Sequence, residues 1–537
     1  MRSPRRWWWT GLAVAFSWLS CDCGRGTGSP CQLDSDCASG ACGADKTCAS
    51  PTGGGTGSGG GLGGGGAGGG GGSGGSGGGA GGGGGTRLPD GGACEGLQCQ
   101  VPACPNGGTT SLTGTVFDPG GNVPLYNATV YVPNKPLSPF TSGASCAACS
   151  ASVSGAPIAI GLTGADGRFT LTGVPAGTDI PLVVQIGKWR RKVTLPSVTA
   201  CQVNTLSDPS LTRLPRNRSE GDLPLIALSS GNADTFECLL RKIGISDSEF
   251  TAPNGGGRVH FYRQNGLDLA GGAPAGSTLW TDVATLLPYD VVILPCEGAA
   301  NAKPAAAVQN VVQYANQGGR VFATHYSYVW TRPGWPQAAG WQPGLPDLYS
   351  SVFTVTVDQS FPKGQSFAQW LNVVGASPTV GTLGIRESRH DVTRVNAGST
   401  RWLYGDVPGS NPQASVQHLT FNTPFLDAGT DPDGTPLPQC GRVVFSDFHV
   451  TAGATNGGQT FPGACIDSPL TEQEKALEFM LFDLSACVQN DNEVPSVCKA
   501  EGQACTKAAD CCAGLACLDG AANPCTGTGC TCATVIN

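Results

Sequence analysis

The side chains best placed to do chemistry lie in the second half of the chain: His325, His449, Asp447, Glu297 and Cys296. His325 closes the run Gly318-Gly-Arg-Val-Phe-Ala-Thr-His325, Asp447 and His449 follow Arg442-Val-Val-Phe445, and Glu297 follows Asp290-Val-Val-Ile-Leu-Pro295. Each apolar run reads as a strand, so these groups fall at strand carboxyl ends, where open α/β sheets bind ligands. The chain holds only five histidines. Two at strand ends are candidates for a general base and a metal or substrate ligand, with Glu297 or Asp447 orienting an imidazole or sharing its proton. The competing expectation is that they simply bond loop backbone. No dedicated metal site and no cofactor is assigned. Cys296 is expected to pair with Cys238 on a neighbouring helix, because an exposed thiolate would oxidise in an oxidising compartment.

Positioning these groups requires alternating strands and helices, the pattern of a mostly parallel sheet covered on both faces. Strands are expected at Leu223 to Leu228, Arg258 to Tyr262, Asp290 to Leu294, Arg320 to Thr324, Val416 to Phe421 and Arg442 to Phe445. Helices are expected at Ala233 to Ile243, Pro304 to Asn316 and Thr471 to Ala486, the last opening with the capping box Thr471-x-x-Glu474. Leu477, Met480, Leu481 and Leu484 recur at three- and four-residue steps and should dock that helix on the sheet. The α/β domain is placed at residues 222–488.

Composition sets the compartment. The 537 residues include 83 Gly, 39 Pro and 25 Cys with only 13% charged residues, a balance of exported, disulfide-rich chains. A net charge of −8 excludes a basic nucleic-acid stripe. Arg2, Arg5 and Arg6 precede an uncharged, largely apolar run from Trp7 to Ser20 that is too short to span a bilayer and reads as a signal sequence over residues 1–20. Residues 21–52 carry Cys31, Cys37, Cys42 and Cys48, a small cross-linked module with no histidine and no C-x-x-C pair to favour zinc. Residues 53–93 are mostly glycine and form a flexible tether. Leu19-Ser20-Cys21 resembles the bacterial lipobox, which implies lipid attachment at Cys21 and a place in the cell envelope, at the outer membrane or cell surface.

Residues 94–206 carry short β-rich segments. Ser111-Leu-Thr-Gly-Thr-Val-Phe117, Ala128-Thr-Val-Tyr-Val132, Thr163-Gly-Ala-Asp-Gly-Arg-Phe-Thr-Leu171 and Gly173-Val-Pro-Ala-Gly177 resemble the carboxypeptidase regulatory-like domain. That resemblance implies a small antiparallel, transthyretin-like β-sandwich, non-catalytic and used as a spacer or binding module. Asp166-Gly167 supplies a positive-φ turn between strands. An insertion from Ser138 to Ala156 brings Cys146 and Cys149, a candidate redox pair, although structural pairing with Cys104 or Cys201 is the expectation.

The segments ending in His325 and running from Cys440 to His449 resemble the class I glutamine amidotransferase-like fold, within it the trehalose-utilisation (ThuA-like) branch. Amidotransferase activity itself would need a cysteine at a G-x-C-x-G elbow. The matching position here, Ala323-Thr324-His325-Tyr326-Ser327, has no thiol. Residues 498–537 carry Cys498, Cys505, Cys511, Cys512, Cys517, Cys525, Cys530 and Cys532, all expected in disulfides. Their C-x6-C-x5-C-C-x4-C spacing resembles the knottin family, with two cysteines beyond its usual six. The architecture is therefore multidomain, with disulfide-rich modules at both ends. Its expected work is binding or structural at the cell surface, towards polysaccharide or an envelope protein, with no nucleic acid. The alternatives are a ThuA-like sugar-modifying or hydrolytic enzyme using the strand-end histidines, and adhesion or inhibition through the tail.

Overall fold

The computed structural model describes residues 94–537 apart from 147–152, 345–351, 407–413, 427–428, 430–438, 451–457, 501, 513–514, 522 and 535–537. Cys21, the cysteines from Cys31 to Cys48, Cys149 and the glycine tether lie outside the described residues.

The region after Cys94 builds two sheets. One orders Arg168–Thr172, Ser111–Thr115 and Val203–Leu206; the other orders Pro157–Leu162, Thr129–Pro133, Gly177–Ile186 and Trp189–Val198. Leu112, Val130, Phe169, Leu171, Leu182 and Val184 are buried in one cluster fed by both sheets. The Asp166-Gly167 turn differs from a hairpin. Gly167 has φ +73° as its sequence demands, yet the strands on either side belong to different sheets, so the turn is a corner between layers. Cys104 pairs with Cys201, and Cys94 with Cys99.

A ten-stranded sheet follows. In chain order its strands are β1 Ile226–Ser229, β2 Phe250–Thr251, β3 Val259–Tyr262, β4 Val291–Leu294, β5 Arg320–Thr324, β6 Phe353–Val357, β7 Thr382–Ile385, β8 Ser399–Asp406, β9 Ala414–Thr423 and β10 Gly441–Ser446. Across the sheet they run β7-β6-β8-β9-β10-β5-β4-β1-β3-β2. From β10 to β2 neighbours are parallel, and β1, β3 and β4 are buried along their whole length, as strands covered on both faces must be. The remaining strands, β7, β6, β8 and β9, pair antiparallel. The sheet is thus mixed rather than mostly parallel: the expected Val416 to Phe421 strand lies inside β9 and runs against β10.

Among the helices that accompany the sheet are α1 Phe236–Lys242, α2 Ala305–Asn316, α3 Pro362–Val373 and α4 Glu472–Ser485. The capping box of α4 forms in both directions, Glu474 N–H to Thr471 Oγ1 at 3.3 Å and Thr471 N–H to Glu474 Oε2 at 2.8 Å. Its Leu477, Met480, Leu481 and Leu484 are buried as their spacing requires, but so are Glu474, Glu478, Phe479 and Phe482. The helix is covered on a second face: Phe479 stacks on Tyr126 at 5.7 Å and Phe482 meets Trp189 edge-on at 5.7 Å, both from the preceding β region.

The insertion from Ser138 to Ala156 has the same joining role. Lys188 Nζ donates to the carbonyls of Thr141 (2.7 Å) and Gly143 (2.8 Å) and to Asp290 Oδ1 (2.5 Å), and Ala144 N–H bonds Leu287 O at 2.9 Å. Cys146 is bonded to Cys440 at the start of β10, so it is a staple between the two regions and not half of a redox pair with Cys149. Replacing both Cys146 and Cys440 by alanine is expected to destabilise the folded state by about 2–4 kcal/mol, because the bridge closes a long loop in the unfolded chain. Chemical denaturation of the double variant checks this; an unchanged midpoint would contradict the stapling role.

The tail is a three-stranded sheet cross-linked by Cys498–Cys512, Cys505–Cys517, Cys511–Cys532 and Cys525–Cys530. One face is docked: Cys498 and Cys512 are buried with Tyr131, Val153 and Val183 of the four-stranded sheet region. Disulfides on this scale indicate an oxidising or extracellular environment. No helix among the described residues is long and apolar enough to cross a membrane.

Candidate functional site

Strands β4, β5 and β10 are neighbours, and their carboxyl ends bring Cys296, His325 and His449 together. β5 turns sharply after Thr324: His325 sits at φ +53°, a 3-10 turn follows over His325–Ser327, and a helix begins at Tyr328. The result is a tight strand-to-helix turn whose first residue is a histidine in the left-handed region. A positive φ at a residue with a Cβ costs on the order of 1–3 kcal/mol, and persists only where the surroundings fix it.

The geometry around the elbow is close. Cys296 Sγ lies 3.1 Å from His325 Nδ1, and the rings of His325 and His449 are 4.6 Å apart between centroids. His449 Nδ1 donates to Val450 O at 2.7 Å, and its Nε2 lies 3.7 Å from Glu387 Oε2. Asp234, just before α1, holds the base of the cluster: one carboxylate oxygen accepts from Val450 N–H at 3.2 Å and the other from Thr324 Oγ1 and Cys296 N–H. Gly298 N–H points at Cys296 Sγ from 3.3 Å.

Electrostatics keep the thiol and its imidazole neutral. Burial pushes the Cys296 thiol up to about 12, against a smaller pull from the Gly298 and Tyr326 backbone amides. Burial also holds His325 well below the usual imidazole range, and the charges of His449 and Arg389 act the same way. A thiol raised and a base lowered do not exchange a proton, so the pair is not the thiolate–imidazolium of a cysteine nucleophile. Burial raises the Asp234 carboxyl, with His449 opposing it.

The two other expected carboxylates are not at the rings. Glu297 is held by Lys303 Nζ at 2.5 Å and Asn301 Nδ2 at 2.8 Å. Asp447 is fully buried and accepts Asp391 N–H at 2.7 Å; burial and the Asp391 charge raise its carboxyl well above the ordinary range. Glu387 and Asp234 take the places expected of them. Cys296 also departs from its expected pairing: Cys238 is bonded to Cys465, and Cys296 is the free thiol among the described cysteines. The cluster is closed as well as compact, with His325 2%, His449 4% and Cys296 0% exposed.

Solved structures show only distant likeness. A GMP synthase component from Thermoplasma acidophilum matches at 11% identity over 49% of this chain and 94% of its own, with a TM-score of 0.26. A ThuA-like protein from Parabacteroides merdae matches at 11% identity over 50% of this chain and 99% of its own, TM-score 0.25. The N-terminal domain of mmIFT52 gives 10% identity over 50% and 100%, TM-score 0.28. The sequence matches no protein-family model and no curated protein.

Beside the closed cluster, still at the carboxyl ends of β4 and β5, lies an open groove of about 660 Å³ lined by Lys303, Tyr328, Arg332, Pro336 and Trp341 among others. Trp341 packs edge-on against Phe445 at 5.3 Å, and its indole N–H has no hydrogen-bond partner. Arg332 is exposed. Histidine and strand signals pointed to this end of the sheet, but the groove residues come from a Trp- and Pro-rich stretch with no periodicity to mark them.

Proposed function

We propose that the chain is an exported, lipid-anchored envelope protein whose disulfide-braced head binds an acidic polysaccharide in the Tyr328–Trp341 groove without turning it over. The observation that carries this reading is the closure of the strand-end cluster: its imidazoles and thiol are buried, while the aromatic, cationic groove beside it is open. Aromatic faces give a sugar ring a flat apolar platform, and Arg332 supplies charge for a carboxylate. In this reading Cys21 carries the lipid and the glycine run holds the head off the surface. The region of residues 94–206 serves as a sandwich-like spacer of the carboxypeptidase regulatory-like kind. The tail, whose first three bridges join cysteines one to four, two to five and three to eight in order, is a knottin-like clamp docked on it.

Trp341→Ala and Arg332→Ala are each expected to weaken binding to an acidic polysaccharide about tenfold, the loss of roughly 1.4 kcal/mol of contact. Calorimetric titration of the purified chain checks this; wild-type protein that binds no acidic glycan overturns the proposal. The ThuA-like enzyme reading keeps one observation in its favour, the approach of the two rings to each other and to Glu387. It requires the cluster to open to substrate.

A further inference from the structure

We propose that Cys296, His325 and His449 form a mononuclear zinc site, with Glu387 or a water as the fourth ligand. No spacing in the sequence marks a metal here; what brings the three together is sheet order, because β4, β5 and β10 are adjacent and parallel. One ligand atom from each lies within 4.8 Å of the other two. Zinc–sulfur and zinc–nitrogen bonds of ~2.3 and ~2.0 Å in a tetrahedron ask for ligand separations of roughly 3.5 Å, a contraction of at most about 1.3 Å.

Independent features point to an ion. His325 Nδ1 faces Cys296 Sγ at 3.1 Å, while its Nε2 is buried without a hydrogen-bond partner. His449 donates its Nδ1 proton to the Val450 carbonyl at 2.7 Å, the outer-shell bond that presents Nε2 to a metal. Gly298 N–H, 3.3 Å from Cys296 Sγ, is placed to stabilise a metal-bound thiolate. Cys296 keeps a free thiol in a chain whose other described cysteines are disulfide-bonded, and a soft metal ligand is a reason to keep one. Glu387, with its side chain 28% exposed and 3.7 Å from His449 Nε2, stands between the cluster and solvent as both candidate ligand and entry gate. The other close cysteine set, Cys505, Cys511 and Cys532, is not equivalent, because each is already in a disulfide.

Binding is balanced simply. Zn²⁺ bonds the Cys296 sulfur and the two imidazole lone pairs, and the thiol proton leaves to solvent, one proton per ion.

The test uses the full chain, freed of metal by chelation and titrated with Zn²⁺, then with Co²⁺ as a spectroscopic stand-in. The expected result is one zinc per chain, a raised melting temperature, and a thiolate-to-cobalt charge-transfer band that disappears in Cys296→Ser. His449→Gln is expected to lower zinc affinity 10- to 100-fold with the fold intact by circular dichroism, which covers the case in which Cys296→Ser fails to fold. No stoichiometric zinc, a charge-transfer band that survives in folded Cys296→Ser, or unchanged affinity in His449→Gln would each overturn the site. Copper bound tightly where zinc is not would overturn the zinc assignment.

Discussion

Glu237→Gln is expected to stabilise the protein at pH 8 and to change nothing at pH 4. Glu237 opens α1, is 0% exposed, and neither carboxylate oxygen has a hydrogen-bond partner. Burial pushes its carboxyl from 4.5 up to about 8, and the neighbouring Asp234 adds to the rise. Between those two values the folded state holds a proton that the unfolded chain has released. Raising the pH across that window therefore lowers stability; below it both states are protonated and the difference vanishes. At ~1.4 kcal/mol per pH unit the loss at pH 8 is on the order of 3–5 kcal/mol, and glutamine, neutral at every pH, removes it. Denaturant unfolding of both proteins at pH 4, 6 and 8 checks this. Parallel profiles for the two would contradict the assignment of an uncompensated buried carboxyl.

Arg442→Met is expected to destabilise the protein by about 3–5 kcal/mol, the cost of stranding buried carboxylates. Arg442 Nη2 lies 2.9 Å from Asp483 Oδ2 and 3.0 Å from Asp491 Oδ1, and Lys363 Nζ is 2.8 Å from Asp483 Oδ1 and 3.2 Å from Asp491 Oδ1. The four charges balance inside the protein; removing one cation leaves an unpaired negative charge out of water. Burial alone would raise the Asp491 carboxyl, but Arg442 and Lys363 outweigh it and hold it well below the usual range. Its contribution is therefore present above the ordinary carboxylate pKa of ~3.9 and is lost as pH falls below that. A wild-type acid limb confined below about pH 4, moved to higher pH in Arg442→Met, is the expected pattern. A variant as stable as the wild type would show that this network contributes nothing net.

Much of the parallel half of the sheet was legible in the residues. Arg320–Thr324 forms as read, Asp290 to Leu294 starts one residue before β4, and Arg442 to Phe445 falls one residue short of β10 at each end, because continuous apolar runs between polar turns leave little choice. Of the antiparallel wing only Val416 to Phe421, inside β9, was legible. Phe353–Val357 alternates buried and exposed positions, a half-wet strand that a search for continuous runs passes over. The same limit applied to the site. His325 and His449 were marked by their strand ends, but Glu387 sits at φ +52° in a bend two residues after β7, a strand of the antiparallel wing that no apolar run marks, and Asp234 precedes a helix. Cys238 pairs with Cys465 across 227 residues, a partner that no local spacing reveals.

The Cys146–Cys440 staple, the Lys188–Asp290 pair and the burial of α4 between two sheets tie the region of residues 94–206 to the ten-stranded sheet. That arrangement braces the two regions against each other and leaves the groove, rather than the imidazole pair, open to solvent. The most direct test is to incubate the purified chain with a defined acidic oligosaccharide and measure both the bound fraction and the chemical identity of the sugar over time. The account predicts saturable binding, weakened by Trp341→Ala, with the oligosaccharide recovered unchanged. Shortened or chemically altered sugar, formed by the wild type and lost in His449→Gln, would contradict it and make the strand-end histidines a catalytic site.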